Sequence, residues 1–350
     1  MIPNKMNAIH IEGPRKLSFR TVDVPSYADD EVLVRVRYVG VCATDLEIFD
    51  GTMAYFTNGK ASYPIIPGHE WSGEIVAVGS KVNDLAVGDS VVGETTISCG
   101  KCRYCLQGHY NLCPDRVENG VMRKNGAGAQ FMVYPAHALH RFNSSISFEE
   151  ATLIETAAVA YRGTKKLAIK PSDRVAIIGA GPVGLLCVQM AKALGAGHVT
   201  LVDLRENRLE TGRKVGADAT INLTEINLDE FINQIPEDDR FTAVIEATGN
   251  EKAVESVFSY VAPAARICLL GLCGGKLARF DVDKLVTFDL EVHGSLSSPG
   301  VWEDVVGLFE SGKIKAEELI THRLKLQDLG KAFDLMENKD PSIIKILLEI

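Results

Sequence analysis

Residues 173–203 narrow the possible folds more than any other stretch. The apolar run Val-Ala-Ile-Ile at 175–178 leads directly into Gly179-Ala-Gly181-Pro-Val183-Gly184. Residues 183–194 are apolar almost all round until Gly195, and a second apolar run at 199–202 ends in Asp203. These runs read as strand, helix and strand. A Gly-x-Gly-x-x-Gly pattern is weak alone, but here it joins a strand to a helix and has an acid 19 residues after its third glycine. The first glycine permits a tight turn, the second lets backbone approach a pyrophosphate, and the third lets helix and strand pack closely. The helix N-terminus offers free N–H groups to phosphates, and Asp203 offers a carboxylate to ribose hydroxyls. The stretch predicts a dinucleotide-binding unit.

The alternation continues downstream, with helices expected at 206–215, 228–235 and 251–260 and strands at 219–221, 243–246, 267–270 and 290–294. Such alternation predicts a doubly wound parallel sheet, whose ligands bind at the strands' carboxyl ends. Asp203, Glu246-Ala-Thr248-Gly249 and Gly271-Leu272 fall there. The first 98 residues differ. Short runs at 6–11, 17–22, 31–39 and 73–78 are broken by Pro, Gly and Asp, and Val32–Arg37 alternates with period two. That pattern predicts a small barrel-like β domain with a wet face. Ser147-Phe-Glu-Glu150 reads as a capping box. A small-residue helix at 155–167 bridges the two regions. Amphipathic helices at 302–311 and 327–337 precede a closing strand at 343–348, free to return to the first domain.

Cys99, Cys102, Cys105 and Cys113 are separated by two, two and seven residues. Four thiolates complete a tetrahedral zinc shell and leave no open position, so this site is expected to be structural. Cys42, His69 and Glu70 stand at predicted turns and together offer sulfur, imidazole and carboxylate, the ligand set of a catalytic zinc. The chain of 350 residues has a net charge of −9 and no basic block, which argues against nucleic acid and anionic membrane surfaces as partners. No apolar run reaches the ~20 residues a membrane helix needs, and residues 1–10 lack a signal-peptide core. A cytoplasmic location is expected, with the eight cysteines as thiols and metal ligands rather than disulfides.

Gly40-Val-Cys42-Ala-Thr44-Asp45, Pro67-Gly68-His69-Glu70, the four clustered cysteines, Glu155, the glycine fingerprint and Lys345 together resemble the zinc-dependent medium-chain dehydrogenase/reductase family. Within it the chain is similar to the polyol branch typified by sorbitol dehydrogenase. The resemblance implies an α/β chain in which a GroES-like, β-rich catalytic domain (1–154 and 292–350) encloses a Rossmann domain (155–291). It implies one catalytic and one structural zinc per chain, the first held by Cys42, His69 and either Glu70 or Glu155. It implies NAD at Gly179, Gly181, Val183, Gly184, Asp203 and Arg208, and at the loops containing Gly271-Leu272 and Ser295-Leu296-Ser297. Homodimers or homotetramers are usual. The implied reaction moves hydride between NAD and a secondary alcohol of a polyol, aminopolyol or aminocyclitol; a threonine-type amino-alcohol dehydrogenase is the alternative. A non-catalytic zinc module would want more cations than Lys101 and Arg103 around the cysteines. Thr44 is expected to pass the alcohol proton to Glu47, and Asp45 to pair with Lys345. The chain departs from the family pattern in having Glu47 where many relatives have His, Thr156 where Pro is common, and Ser297-Ser298 where the polyol branch has Arg-Tyr. With that Arg replaced and acids at Glu47 and Glu118, Glu118 is expected to meet a cationic group on the substrate, so that an amino-substituted polyol is preferred and a phosphorylated one disfavoured.

Overall fold

The computed structural model describes every residue except 227–230, 234, 237 and 238. Of the helix expected at 228–235, residues 231–233 are helical, and 228–230 and 234 lie outside the described residues. The strands in chain order are β1 (Lys5–Gly13), β2 (Lys16–Asp23), β3 (Glu31–Val41), β4 (Glu70–Val78), β5 (Ser90–Gly93), β6 (Thr96–Ile97), β7 (Val117–Asn119), β8 (Arg123–Lys124), β9 (Phe131–Pro135) and β10 (Leu139–Arg141). They continue with β11 (Arg174–Ile178), β12 (His198–Asp203), β13 (Ala219–Asn222), β14 (Phe241–Glu246), β15 (Val261–Leu269), β16 (Glu291–Gly294), β17 (Ile320–Lys325) and β18 (Lys345–Glu349). They fall into two compact units. One comprises Met1–Glu155, Ser297–Glu310 and Ile320–Ile350, the other Thr156–Leu296 and Ser311–Leu319.

In the first unit β3 is the organising strand. It pairs antiparallel with β4 along most of its length, with β9 over Glu31–Arg35 and with the closing strand β18 over Tyr38–Val41. Val32, Val34, Val36 and Val39 bury against Trp71, Ile75, Tyr134 and Leu348, because β-branched side chains suit a pleated, half-covered surface. The registers place Gly40 opposite Glu70 on one side and Leu347 on the other.

The second unit contains a parallel six-stranded sheet in the order β13-β12-β11-β14-β15-β16. This is the strand order of doubly wound dinucleotide folds, with the crossover point between β11 and β14. Ala176, Ile178, Val202, Val244 and Ile267 form part of its core. Residues 292–296 and 311–319, expected with the returning segment 292–350, pack in this unit instead. The Lys315 backbone N–H donates to Gln189 Oε1 at 2.7 Å, its ammonium donates to the Lys214 carbonyl at 2.8 Å, and Ala316 and Leu319 are buried.

Two helices are shorter than expected. The capping box forms, with Glu150 N–H donating to Ser147 Oγ at 3.2 Å and Ser147 N–H to Glu150 Oε2 at 3.1 Å. It opens a single turn, Phe148–Ala151, before the longer helix Ile154–Lys166 begins. The helix expected at 251–260 ends at Val257, since the Tyr260 carbonyl is taken by the Phe241 N–H and Val261 already starts β15. Among the described residues, no helix is long and apolar enough to cross a membrane.

Candidate active site

Cys42 follows β3 and stands at the N-cap of the helix Ala43–Asp50. Asp45, buried in the first turn of that helix, accepts the Cys42 N–H on Oδ2 at 2.9 Å and the Gly68 N–H on Oδ1 at 3.2 Å. One carboxylate thus ties together the two loops that carry Cys42 and His69. Asp45 Oδ1 also lies 3.6 Å from His69 Nδ1. Burial opposes a charge on the His69 ring, but Asp45 and Cys42 push its pKa well above the ordinary value.

The expected Asp45–Lys345 pair is not formed. Lys345 makes its ion pair with Glu70 and donates to the Val41 carbonyl at 3.2 Å. Both partners are almost wholly buried. The reason lies in the register: Glu70 faces Gly40 across β3 and β4, and a Cβ on Gly40 would collide with the Glu70 carboxylate and crowd the Lys345 stem. The missing side chain makes room for the pair.

One donor atom each from Cys42, His69 and Glu70 lie within 4.8 Å of one another. Glu155 stands beside this group, at the start of the helix Ile154–Lys166, and accepts the Thr95 hydroxyl on Oε1 at 2.7 Å. Burial raises the Glu155 carboxyl pKa; His69 opposes that shift and Glu70 adds to it. Buried polar atoms are nearly always paired, yet among the described residues His69 Nδ1 has no hydrogen-bond partner. Nδ1 faces Asp45, and the buried thiol–imidazole–carboxylate set, with donor atoms converging within 4.8 Å, fits a zinc ion.

Thr44 is half-buried in the first turn of Ala43–Asp50, and Glu47 is exposed one turn later. No side-chain hydrogen bond joins them among the described residues. Desolvation raises the Glu47 pKa. Glu118, on β7, is not a free acid: Arg116 Nε donates to its Oε1 at 2.9 Å and Tyr55 OH donates to the same oxygen at 3.2 Å. The expectation that Glu118 awaits a cationic substrate group therefore loses its basis, because the cation is already in the chain two residues away. The sequence shows Glu118 as an acid and gives Arg116 away only by its i,i+2 spacing, which puts side chains of extended chain on one face.

The Sγ atoms of Cys99, Cys102, Cys105 and Cys113 all lie within 4.8 Å of one another. Burial opposes a thiolate at Cys105, but the Ser98 hydroxyl and the Cys102 and Cys113 thiols bring its pKa down to about 6, while burial raises Cys113 to about 11. Backbone N–H groups of Lys101 and Cys102 lower Cys99. Four converging sulfurs, some already favoured as thiolates, fit a closed zinc shell.

In the second unit the three fingerprint glycines have three different reasons. Gly179 has φ +100°, and a Cβ there would meet Thr248 Cγ2 at 2.5 Å. A Cβ on Gly184 would strike the Gly179 carbonyl. A Cβ on Gly181 would meet nothing within 4 Å, so this glycine borders open space at the N-terminus of the helix Pro182–Ala193. An open glycine at the positive end of a long helix fits a pyrophosphate. Val183 lies in the first turn of that helix. Asp203 Oδ2 accepts the Ala180 N–H at 2.6 Å, and Oδ1 accepts Leu204 and Arg205 N–H groups at 2.8 and 2.9 Å. A carboxylate accepts about four hydrogen bonds, so capacity remains for a hydroxyl. Arg208 is half-buried on the helix Glu206–Lys214, and its pKa is lowered first by burial and then by Arg205.

Gly271 and Gly249 pack backbone to backbone, and buried Glu246 accepts the Thr248 N–H at 2.7 Å, while Leu272 is exposed. The segment around Ser295 and Leu296 is firmly anchored. Ser295 N–H donates to the Leu269 carbonyl at 3.2 Å. Arg162 donates to Ser295 Oγ and the Leu296 carbonyl at 3.2 and 2.8 Å, and Lys166 donates to the Gly294 carbonyl at 2.5 Å. Ser297, in the first unit, has φ +60° and shares a 2.9 Å hydrogen bond with Thr96 Oγ1.

Comparison with known proteins agrees with this architecture. The alcohol dehydrogenase GroES-like domain family matches residues 28–144, and the zinc-binding dehydrogenase family matches residues 182–311. The sorbitol dehydrogenase of Bacillus subtilis (strain 168) is 32% identical over 338 residues, 95% of this chain and 94% of that protein. The D-arabitol-phosphate dehydrogenase of Enterococcus avium is 31% identical over 342 residues, 96% of this chain and 95% of that protein. A solved alcohol dehydrogenase from E. coli CFT073, complexed with NADH, is 29% identical with a TM-score of 0.92, covering 99% of this chain and 100% of that one. The fold and the two thiol-bearing clusters define a zinc-binding dehydrogenase. The chain belongs to the zinc-dependent medium-chain dehydrogenase/reductase family, in its sorbitol dehydrogenase-like branch, and is an alcohol or polyol dehydrogenase.

Proposed function

We propose that this enzyme transfers hydride between NAD and a secondary alcohol of a polyol, at a zinc held by Cys42, His69 and Glu70, with Glu155 as the exchanging carboxylate. The observation that carries this reading is the convergence of donor atoms from Cys42, His69 and Glu70 within 4.8 Å of one another in a buried group. When bound, zinc supplies Lewis acidity to an alcohol oxygen and NAD supplies the hydride-accepting ring.

The chain's own residues supply the rest. Asp45 holds the Cys42 and Gly68 backbones and orients the His69 ring. Lys345 balances the charge of Glu70, so the thiolate and carboxylate together do not overcharge the site. The Thr44 hydroxyl accepts the alcohol proton and passes it outward, with Glu47, raised by partial desolvation, as the acceptor nearest solvent. The four cysteines at 99–113 would hold a structural zinc. Gly179, Gly181 and Gly184 would cradle the dinucleotide's pyrophosphate, and Asp203 would accept a ribose hydroxyl. That carboxylate repels a 2′-phosphate, so NAD is preferred over NADP. The second copy in a homodimer pairs with β16, the sheet's edge strand; its exposed Val292 lies near the exposed Val282 and Val286 in sequence.

The test is a screen of free polyols and simple secondary alcohols with NAD⁺, following reduced-nicotinamide absorbance. Turnover of polyols that ceases on metal removal and returns with zinc is expected. Absence of turnover for every polyol with the zinc-loaded enzyme contradicts the reading.

A further inference from the structure

Arg116, Glu118 and Tyr55 form a closed polar group for which the metal chemistry has no use. Arg116 Nε donates to Glu118 Oε1 at 2.9 Å, a terminal nitrogen donates to Tyr55 OH at 3.0 Å, and Tyr55 OH donates back to Glu118 Oε1 at 3.2 Å. The other terminal nitrogen donates to the Cys113 carbonyl at 3.3 Å, which fixes the guanidinium to the end of the cysteine loop. The Arg116 and Glu118 side chains are 18% and 13% exposed, so they are sheltered yet reachable. Arg123 approaches from the exposed side, where its guanidinium donates to the Arg116 carbonyl.

The group is joined through the next residues of the chain to the loop that carries His69. Asn119, next to Glu118, donates its side-chain N–H to the Gly68 carbonyl at 3.2 Å and its backbone N–H to the Thr95 carbonyl at 2.9 Å. Gly120, with φ +69°, packs so closely that a Cβ would lie 2.7 Å from the Gly68 carbonyl oxygen. Thr95 in turn holds Glu155.

A sheltered guanidinium–carboxylate pair presents donors and acceptors but no net charge. A hydroxyl can join it without displacing either ion. A phosphate must compete with Glu118 for Arg116 and approach a carboxylate, and an ammonium must compete with Arg116 for Glu118. We infer that the Arg116–Glu118 pair sets the charge class of the substrate, admitting uncharged polyols and rejecting both phosphorylated and amino-substituted ones, with Glu118 keeping Arg116 from acting as a phosphate site. This inference rests on the polyol reading above.

The test compares sorbitol, its monophosphate and its amino analogue glucamine. Both kcat/KM and calorimetric Kd are measured on the zinc- and NADH- or NAD⁺-loaded enzyme. In Glu118→Gln the phosphate-to-sorbitol ratio rises by about tenfold or more; in Arg116→Gln the glucamine-to-sorbitol ratio rises comparably. The double variant Arg116→Gln/Glu118→Gln, again without net charge, returns both ratios to near the wild-type values, which separates charge from folding defects. Folded single variants with unmoved ratios overturn the inference, as does a double variant that behaves like either single one. If the wild type oxidises no polyol while the Kd ratios still shift in opposite directions, the pair stands and the polyol reading falls.

Discussion

Gly181 and Gly184 are three residues apart and lack a side chain for opposite reasons. A methyl on Gly181 enters open space, whereas a methyl on Gly184 enters the Gly179 carbonyl. Gly181→Ala is therefore expected to leave Tm within about 1–2 °C of wild type while weakening NADH binding by about tenfold. Gly184→Ala is expected to lose about 1–3 kcal/mol of stability. Thermal melts and fluorescence titration of NADH check both; a Gly181→Ala enzyme with unchanged affinity contradicts the cradle. Asp203→Ala should narrow the kcat/KM gap between NAD and NADP by about tenfold. Equal values for the two cofactors in the wild type contradict the role given to that carboxylate.

Among the elements, features written locally in the chain were legible in the sequence and those that depend on strand register were not. The glycine turn and the cysteine loop were legible because each is written within about thirty residues or fewer, and neighbouring chain brings the parts together. The Glu70–Lys345 pair was not, because it depends on β3 lying between β4 and β18 and on Gly40 leaving a gap there. Charge alone allowed Asp45 as the partner. Glu118 was legible as an acid near the site but not as a neutralised one, since Tyr55 and Arg116 meet only when β7 folds back toward the Gly68 loop. Helix ends suffered where an aromatic residue could serve either element, as with Tyr260 before β15. The capping box at Ser147 controls one short turn, and Ser147→Ala should cost about 1 kcal/mol in thermal melts without altering kcat/KM. A change in kinetics would mean that this turn does more than lead into the Glu155 helix.

At the scale of the molecule, the helix Trp302–Glu310 returns to the first unit through His140. The His140 ring stacks on Trp302 at 5.2 Å and lies between Glu94 and Glu303, at 3.0 and 2.9 Å. Burial lowers the His140 pKa, but the two carboxylates outweigh it and the pKa is raised. A group whose folded pKa is raised adds stability that is fully present below its unfolded value near 6.5 and is lost as pH rises through the folded pKa. Between about pH 6 and pH 9, the wild type should therefore lose more Tm than His140→Gln does; a variant with the same pH slope contradicts the pairing.

We propose that the two thiol-bearing sites of the chain divide the labour, one performing chemistry and the other holding a loop. The measurement that tests it most directly is zinc content together with polyol turnover in the wild type, Cys42→Ala and Cys102→Ser. Two zinc ions are expected per wild-type chain and one in each variant. Cys42→Ala is expected to keep its fold and lose turnover, while Cys102→Ser loses more than about 2 kcal/mol of stability and retains turnover where it remains folded. A Cys42→Ala enzyme that still oxidises polyols, or a Cys102→Ser enzyme with undiminished stability and two zinc ions, would contradict it.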